Sequence, residues 1–282
     1  MHQVLILAAL LAGTATAPPP ASSGGLDRAV ACLYNYDFAG AHKALDEEMR
    51  ARPGDPLVPA LRGAAFLFAE FERQHILELQ FFEGDDEVTD QKRLKPDPAV
   101  RARLLGTTAA ARRLAQARLT VCPDDRNALF ALCTAIGTEA DYMGLVEKRY
   151  FRTYRLSKES QKYAFRLLAL DPPVYDALLT IGSAEYVVGS LNAFFRFFVR
   201  FDGIKGSKHK AVTNLEVVAS RGHYFRAFAK VLLAAIHLRE DRPSSALKLL
   251  RELAGEFPNN PLVKKEIARA EQRIRRTAAV RR

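Results

Sequence analysis

The residues best suited to metal chemistry are His75 and Glu78, which lie three positions apart in a segment with helical periodicity. Residues three apart share one face of a helix, and helical bundles build metal sites from such pairs. The sequence holds only six histidines, and its three cysteines lack metal-ligand spacing. We therefore interpret His75 and Glu78 as a pair that stabilises its helix, and we expect neither a metal nor a cofactor.

A second group of residues could bind an anion at the start of a predicted helix, after the glycines Gly203 and Gly206. Free N–H groups at a helix N-terminus attract phosphate or carboxylate. The order of glycine, lysine and serine here differs from that of a P-loop. The alternative is that the serine only caps the helix. The candidate anion ligands are Lys205, Ser207, Lys208 and Lys210.

An unusually apolar stretch covers residues 193–201 and contains two arginines spaced four apart. One hypothesis is a short helix that dips into a membrane surface or holds a partner peptide. The alternative is a helix buried between its neighbours, because a helix that is apolar on all sides is usually core. Its candidate contact residues are Phe194, Phe195, Phe197 and Phe198.

The sequence offers no set of a nucleophile, a histidine and an acid, and it has no Gly-x-Ser-x-Gly turn. We therefore predict no catalytic residues and a protein that is not an enzyme. An odd number of cysteines argues against a full disulfide framework. We expect Cys32, Cys122 and Cys133 to be buried thiols, with a Cys122–Cys133 disulfide as the alternative. The acidic stretch 83–90 lacks the spacing of an EF-hand calcium loop, and we interpret it as solvated.

The elements that position these residues are helices, because apolar residues recur at helical spacing along the chain. Val231, Ala235 and Leu238, for example, share one helix face. No sustained alternation of apolar and polar residues occurs, so the predicted fold class is all-α. A long helix is predicted over about 56–82, and Gly222 is expected to close another. Capped helix starts with proline at the first position are predicted at Asp55-Pro56, Asp97-Pro98, Asp171-Pro172 and Asn260-Pro261.

Small residues and prolines recur at fixed spacing. A shift of 205 residues aligns Ala29, Ala41, Leu45 and Pro53 with Ala234, Ala246, Leu250 and Pro258. A shift of 70 residues aligns Ala29, Ala41, Pro53 and Asp55 with Ala99, Ala111, Pro123 and Asp125. Two small residues twelve positions apart let the helices of a hairpin approach closely, and the proline ends the second helix. Each hairpin leaves an apolar face that only a neighbour can cover, so such units should stack.

These positions resemble the tetratricopeptide-repeat consensus, best at 22–55 and 227–260, less well at 92–125 and weakly at 157–190. Successive repeats do not follow one another at about 34 residues, so the spacing is irregular. The chain also resembles an uncharacterised family of exported bacterial tetratricopeptide-repeat proteins and, more weakly, the eukaryotic tetratricopeptide-repeat 39 family. The residues that carry this resemblance are Asp171-Pro172, Ala177, Gly182, 191–195, 203–206, Leu215, 222–224 and 258–261. It covers roughly the C-terminal third to half of the chain, and it implies a helical-repeat fold and no enzyme activity. We predict a helical-hairpin repeat solenoid with irregular spacing over 26–282.

The N-terminal segment differs in composition from the rest of the chain. Residues 4–12 are apolar, and a small-x-small site follows at 15–17, which is typical of a secretion signal. We predict a signal peptide over 1–17 and a flexible tether over 18–25. The protein is then exported, and it is periplasmic or associated with the outer membrane.

The formal net charge is +10, and much of it lies between Lys264 and Arg282, where eight basic residues accompany two acids. A basic tail can contact an anionic membrane surface or an acidic protein, and the alternative is the solvated outer face of a terminal helix. No nucleic-acid-binding motif accompanies the charge, so we expect no nucleic-acid partner.

These features favour a non-catalytic scaffold of the cell envelope that binds another protein or peptide in a groove between helices. The alternative is a peripheral membrane-surface protein that uses the Phe-rich stretch 193–201 and the basic tail. A third hypothesis, an enzyme on a helical solenoid, has the least support because no catalytic set accompanies the fold. The predicted groove residues, which could equally be core, are Phe228, Val231, Ala235 and Leu238.

Overall fold

The computed structural model describes residues 24–79, 95–190 and 207–280. Eleven α-helices and no strand occur in these three ranges, which confirms the predicted all-α class. In chain order the helices are α1 Gly24–Tyr34, α2 Phe38–Ala51, α3 Leu57–Arg73, α4 Pro98–Val121, α5 Arg126–Asp141, α6 Tyr150–Leu168, α7 Ala177–Ser190, α8 Lys208–Arg221, α9 Arg226–Arg239, α10 Pro243–Glu256 and α11 Pro261–Val280. A π-helical turn, Tyr142–Val146, continues α5.

Several predictions concern residues that lie outside the described ranges. They are the signal peptide over 1–17, the tether up to residue 23, the acidic stretch 83–90, the phenylalanines of 193–201, Lys205 and the last two arginines. Helix α1 begins at Gly24, two residues before the predicted start of the helical domain.

Every described helix packs against its neighbours in sequence, and in the first half α1 also contacts α3, α3 contacts α5, and α5 contacts α7. Stacked hairpins produce this pattern, because each helix covers its partner in the hairpin and the equivalent helix of the next unit. The described architecture is therefore helical-repeat-like.

Small residues line the predicted hairpin seams. Ala29 and Ala41 in the α1–α2 hairpin, and Ala234 and Ala246 in the α9–α10 hairpin, are each at most 1% exposed. A methyl side chain allows the paired helices to approach closely, and a larger one would have to displace packed atoms. The predictions of buried small residues and of hairpins at both ends of the chain are confirmed.

The predicted hairpin at 92–125 is wrong, because α4 runs without a break from Pro98 to Val121. The positions equivalent to the α1–α2 turn are 105–107, which read Leu-Gly-Thr. Thr107 stands where Asp37 caps α2, but its hydroxyl donates back to the Arg103 and Leu104 carbonyls. A single glycine does not stop a helix. Ala111 is nevertheless fully buried, whereas Ala99 is exposed in the first turn of the helix.

Two other predicted helix boundaries differ from the structure, and at a third only the backbone conformation differs. The helix predicted over 56–82 ends at Arg73, and His75 beyond it has a positive φ of 57°. No helix begins at Pro172, because Pro173 follows it and disfavours the helical conformation there, so α7 begins at Ala177. Helix α8 does end before Gly222, but that glycine has φ −68° and is not in the left-handed region.

Helix α5 forms the centre of the core. Every residue from Ala128 to Ile136 is buried. By length and composition Arg126–Val146 is the one stretch of the described residues apolar enough to cross a membrane, yet 83% of its apolar window is buried inside the structure. This burial is what a core helix requires, since its apolar surface is covered by neighbouring helices.

The first and last hairpins contact each other. The Tyr34 hydroxyl donates to the Tyr224 carbonyl at 3.0 Å, and the Asn260 side-chain amide donates to the Tyr34 carbonyl at 2.7 Å. The Asn259 N–H donates to the Asn35 side chain at 3.1 Å. Near the end of α3, the Leu79 N–H donates to the Glu266 carboxylate at 3.3 Å. The two ends of the array therefore meet.

Candidate interaction surfaces

Two of the predicted groove residues, Phe228 and Val231, line a small cavity where the first and last hairpins meet. Phe228 packs edge-on against Phe68 with ring centroids 5.4 Å apart. The cavity has a volume of about 40 Å³, whereas small-molecule sites typically measure about 300–1,000 Å³. It has room for about one water molecule and none for a peptide side chain.

The other two predicted groove residues, Ala235 and Leu238, are each 3% exposed. They pack with Ala246, Leu250 and Ala270 of α10 and α11. The sequence allowed either a groove or a core position for these two residues, and the structure places both in the core.

The described part of the predicted anion site is an ordinary helix cap. The Ser207 hydroxyl accepts a hydrogen bond from the Lys210 N–H at 3.3 Å, which satisfies one of the free donors at the start of α8. Lys208 and Lys210 are exposed. These contacts match the capping alternative, and Lys205 lies outside the described residues.

His75 and Glu78 are in contact, but in the turns after α3 rather than on a helix. His75 Nδ1 lies 3.1 Å from Glu78 Oε1, and the Lys265 ammonium lies 2.9 Å from the same oxygen. Burial opposes ionisation of Glu78, but Lys265 and His75 outweigh it and hold its pKa below the ordinary value. The pair thus joins α3 to α11. No cluster of metal-ligating side chains occurs within the three described ranges.

The three cysteines are free, so the Cys122–Cys133 disulfide does not form. Cys133 is buried, and its sulfur lies 3.4 Å from the Thr180 hydroxyl and 3.6 Å from the Ser160 hydroxyl. Burial raises the pKa of this thiol. Cys32 is half-buried, whereas Cys122 is exposed, contrary to expectation, because it caps the end of α4 in a surface turn.

Asp176 is a buried acid whose role the sequence did not reveal. Its carboxylate accepts hydrogen bonds from the His223 N–H at 2.8 Å and the Phe225 N–H at 2.7 Å, and it is 4% exposed. Burial raises its pKa. The bonds hold the turn between α8 and α9, whose Tyr224 ring stacks on Phe130 of α5 at 5.8 Å. Asp176 is therefore saturated by backbone donors and positions helices.

Glu70 is a second buried acid that is fully occupied. It accepts from the Arg73 guanidinium at 2.8 and 2.6 Å, from the Gln74 amide at 2.6 Å and from the Asp97 N–H at 3.3 Å. Arg73 also donates to the Lys95 carbonyl at 2.7 Å. These bonds tie the end of α3 to the start of α4. Glu70 is therefore a structural acid, since its oxygens already have donors.

Exposed aromatic side chains are concentrated on α6. Large apolar side chains with high exposure in the described residues are Tyr150 at 58%, Phe151 at 77% and Phe165 at 58%, all on α6, and Val121 at 87% at the end of α4. Single exposed apolar residues are common on protein surfaces, so what distinguishes these aromatic side chains is that three of them lie on one helix.

Helix α6 has two sharply different sides. Its buried side consists of Leu156, Ser160, Ala164 and Leu167. The opposite side, here named the aromatic–basic face, consists of Phe151, Arg155, Lys158, Lys162 and Phe165. The helical period of 3.6 residues assigns these residues to opposite sides, so the sequence did contain this signal, although we did not predict the face.

Basic residues outnumber acids on the helix that carries the aromatic–basic face and on α4. Helices α4 and α6 together contain ten basic residues and a single acid, Glu159. Arg112 of α4 already holds Glu159 at 2.7 Å and lies 3.5 Å from Glu139 of α5. At the other end, Arg166 donates to the Pro123 carbonyl and lies 3.4 Å from Asp124. The face is thus a basic surface with aromatic side chains at both ends.

Comparison with known proteins identifies no family for this chain. No protein-family model matches the sequence, and no curated protein is significantly similar to it.

Proposed function

We propose that this protein is a non-catalytic scaffold of the tetratricopeptide-repeat type that binds another protein in the cell envelope. The observation that carries the proposal is the aromatic–basic face, where Phe151 and Phe165 are largely solvent-exposed on a helix whose opposite side is core. Aromatic and arginine side chains are enriched at the energetic centres of protein interfaces. Export to the envelope is part of the proposal and rests on the composition of residues 1–17.

Two buried carboxylates also support a non-catalytic role. Asp176 and Glu70, two buried acids in the described part of the chain, each hold several donors from the protein itself. A general acid or base needs to reach a substrate, and these carboxylates are engaged in joining helices. The aromatic–basic face of α6 is therefore a better candidate for function than the interior.

Site-specific photocrosslinking tests the proposal. We would place a photoreactive phenylalanine analogue at Phe151, and separately at the exposed Ala102 of α4 as a matched control, and irradiate cells of the native host. We expect a discrete crosslinked partner from position 151 that is absent from position 102. The double variant F151S/F165S should no longer co-purify that partner. Absence of any specific adduct at 151, or its persistence at 102, would reject the proposal.

The membrane alternative makes a different prediction. Its wedge, Phe194 to Phe198, lies outside the described residues, and its basic tail corresponds to the polar side of α11. If it holds, the protein floats with anionic liposomes, and replacing the four phenylalanines by serine abolishes flotation. Flotation that survives this replacement removes the wedge from consideration.

A further inference from the structure

We infer that the aromatic–basic face binds an acidic helix of a partner protein, with apolar side chains near both ends and carboxylates between them. This inference rests on the proposed function and adds the chemistry of the partner. It commits to a protein segment, and a membrane surface or a nucleic acid would be a contrary outcome of the test below.

The spacing of Phe151 and Phe165 indicates how far apart the apolar side chains of the partner helix lie. Phe151 and Phe165 are fourteen residues apart on α6. At 1.5 Å per residue this is about 21 Å along the helix axis, or about four turns. A second helix packed along this face would meet both rings if its own apolar side chains were also about four turns apart. Packing between two aligned helices follows from ridges fitting into grooves.

The charges between Phe151 and Phe165 indicate which side chains the partner helix carries in its middle part. Arg155 and Lys162, both exposed, lie between the two rings on the same face. Glu159, the only acid in the sequence of α6, is bound to Arg112, so the helix has no other acid of its own to neutralise them. Carboxylates at matching positions of a partner helix would be complementary. Such complementarity increases the association rate and excludes basic partners.

The arrangement favours a protein over the two other anionic ligands. A helix that lies in a membrane interface presents one continuous apolar face, whereas here the exposed Arg155 and Lys162 separate the two rings. Proteins that bind single-stranded nucleic acid place aromatic rings so that successive bases stack on them. The rings at Phe151 and Phe165 are about 21 Å apart along the axis, too far for adjacent bases.

The inference can be tested with a designed probe. The probe is a lactam-stapled helical peptide with two leucines fourteen residues apart and two glutamates between them, and its control carries glutamines instead. Fluorescence anisotropy would measure binding to the full chain. We expect the glutamate peptide to bind at least tenfold more tightly than the glutamine peptide, and to weaken as salt screens the charges.

Matched variants locate the binding site. F151S/F165S should weaken binding at least tenfold, and R155Q/K162Q at least fivefold with a smaller dependence on salt. The control K264Q/R275Q removes the same charge from exposed positions of α11 and should leave the affinity within twofold. Circular dichroism melting checks that each variant folds, which we expect because all of the substituted side chains are exposed.

The outcomes separate this inference from the proposed function. If the glutamate peptide does not bind, or binds all variants alike, the acidic-helix inference is wrong. If photocrosslinking at Phe151 still captures a partner in that case, the scaffold proposal stands with a partner of different chemistry. The protein could instead bind phosphatidylglycerol vesicles or a single-stranded oligonucleotide, through Phe151 and Phe165, without binding the peptide. That result would overturn the inference and assign the aromatic–basic face to a membrane or to a nucleic acid.

Discussion

Replacing Asp176 with alanine gives the sharpest test of how the turn between α8 and α9 is held in the fold. The carboxylate accepts the His223 and Phe225 N–H groups at 2.8 and 2.7 Å. A buried donor that loses its acceptor costs about 1–3 kcal/mol. Because His223 is exposed and its N–H can reach water, we take the lower part of the range for each bond. The expected loss is about 2–4 kcal/mol in the free energy of unfolding.

Urea denaturation followed by circular dichroism measures this loss. D176N keeps one side-chain oxygen, and we expect it to lose about half as much as D176A. The control is D124A, which removes an exposed aspartate from the α4–α5 turn and should change stability by less than about 0.5 kcal/mol. If D176A is no more destabilising than D124A, the two N–H groups are satisfied by water, and Asp176 does not fasten the α8–α9 turn.

Two further predictions concern the seam and the junction of the ends. Ala41→Leu should lower the free energy of unfolding by about 1–3 kcal/mol, because Ala41 is fully buried in a hairpin seam. In the same urea titration, Ala102→Leu on the exposed side of α4 should change it by less than about 0.5 kcal/mol. Equal effects of the two substitutions would contradict close packing at the seam. Burial raises the pKa of Glu266 despite Arg269 and the Leu79 N–H, which favour its ionised form. The folded state therefore binds this proton more readily than the unfolded state, and the ionised carboxylate costs stability at neutral pH. Thermal melts recorded at several pH values test this. We expect E266Q to be more stable than the wild type at pH 7.5, and the difference should shrink as the pH falls through the pKa of the folded state toward the unfolded value of about 4.3. A difference in stability that grows toward low pH would refute this reasoning.

The sequence predicted what depends on local spacing. Ala41 and Ala246 are buried as expected because the pattern of small residues reports directly on helix contact. Asp97 caps α4 as expected, since its carboxylate accepts from Ala99 and Val100. Both signals involve residues near one another in the chain, where spacing alone determines geometry.

Features that depend on distant residues were not predictable in this way. The partners of Asp176 lie 47 and 49 residues away, and no local pattern names them. Phe228 has the spacing of a groove residue, but it is half-buried against Phe68 of the first half, where it lines a small cavity. The continuous helix α4 shows another reason why the sequence alignment failed. The aligned alanines and prolines predicted a hairpin there, but the alignment did not show that the residues between them form no turn.

The meeting of the first and last hairpins has a consequence for how such a chain could change length. An open stack of hairpins can grow at either terminus, because a new unit needs only one free face. Here Asn259 and Asn260 are already bonded to Asn35 and Tyr34, so an added unit at that junction would have to displace them. Duplication or engineered extension is therefore easier to accommodate between hairpins inside the array than at this junction.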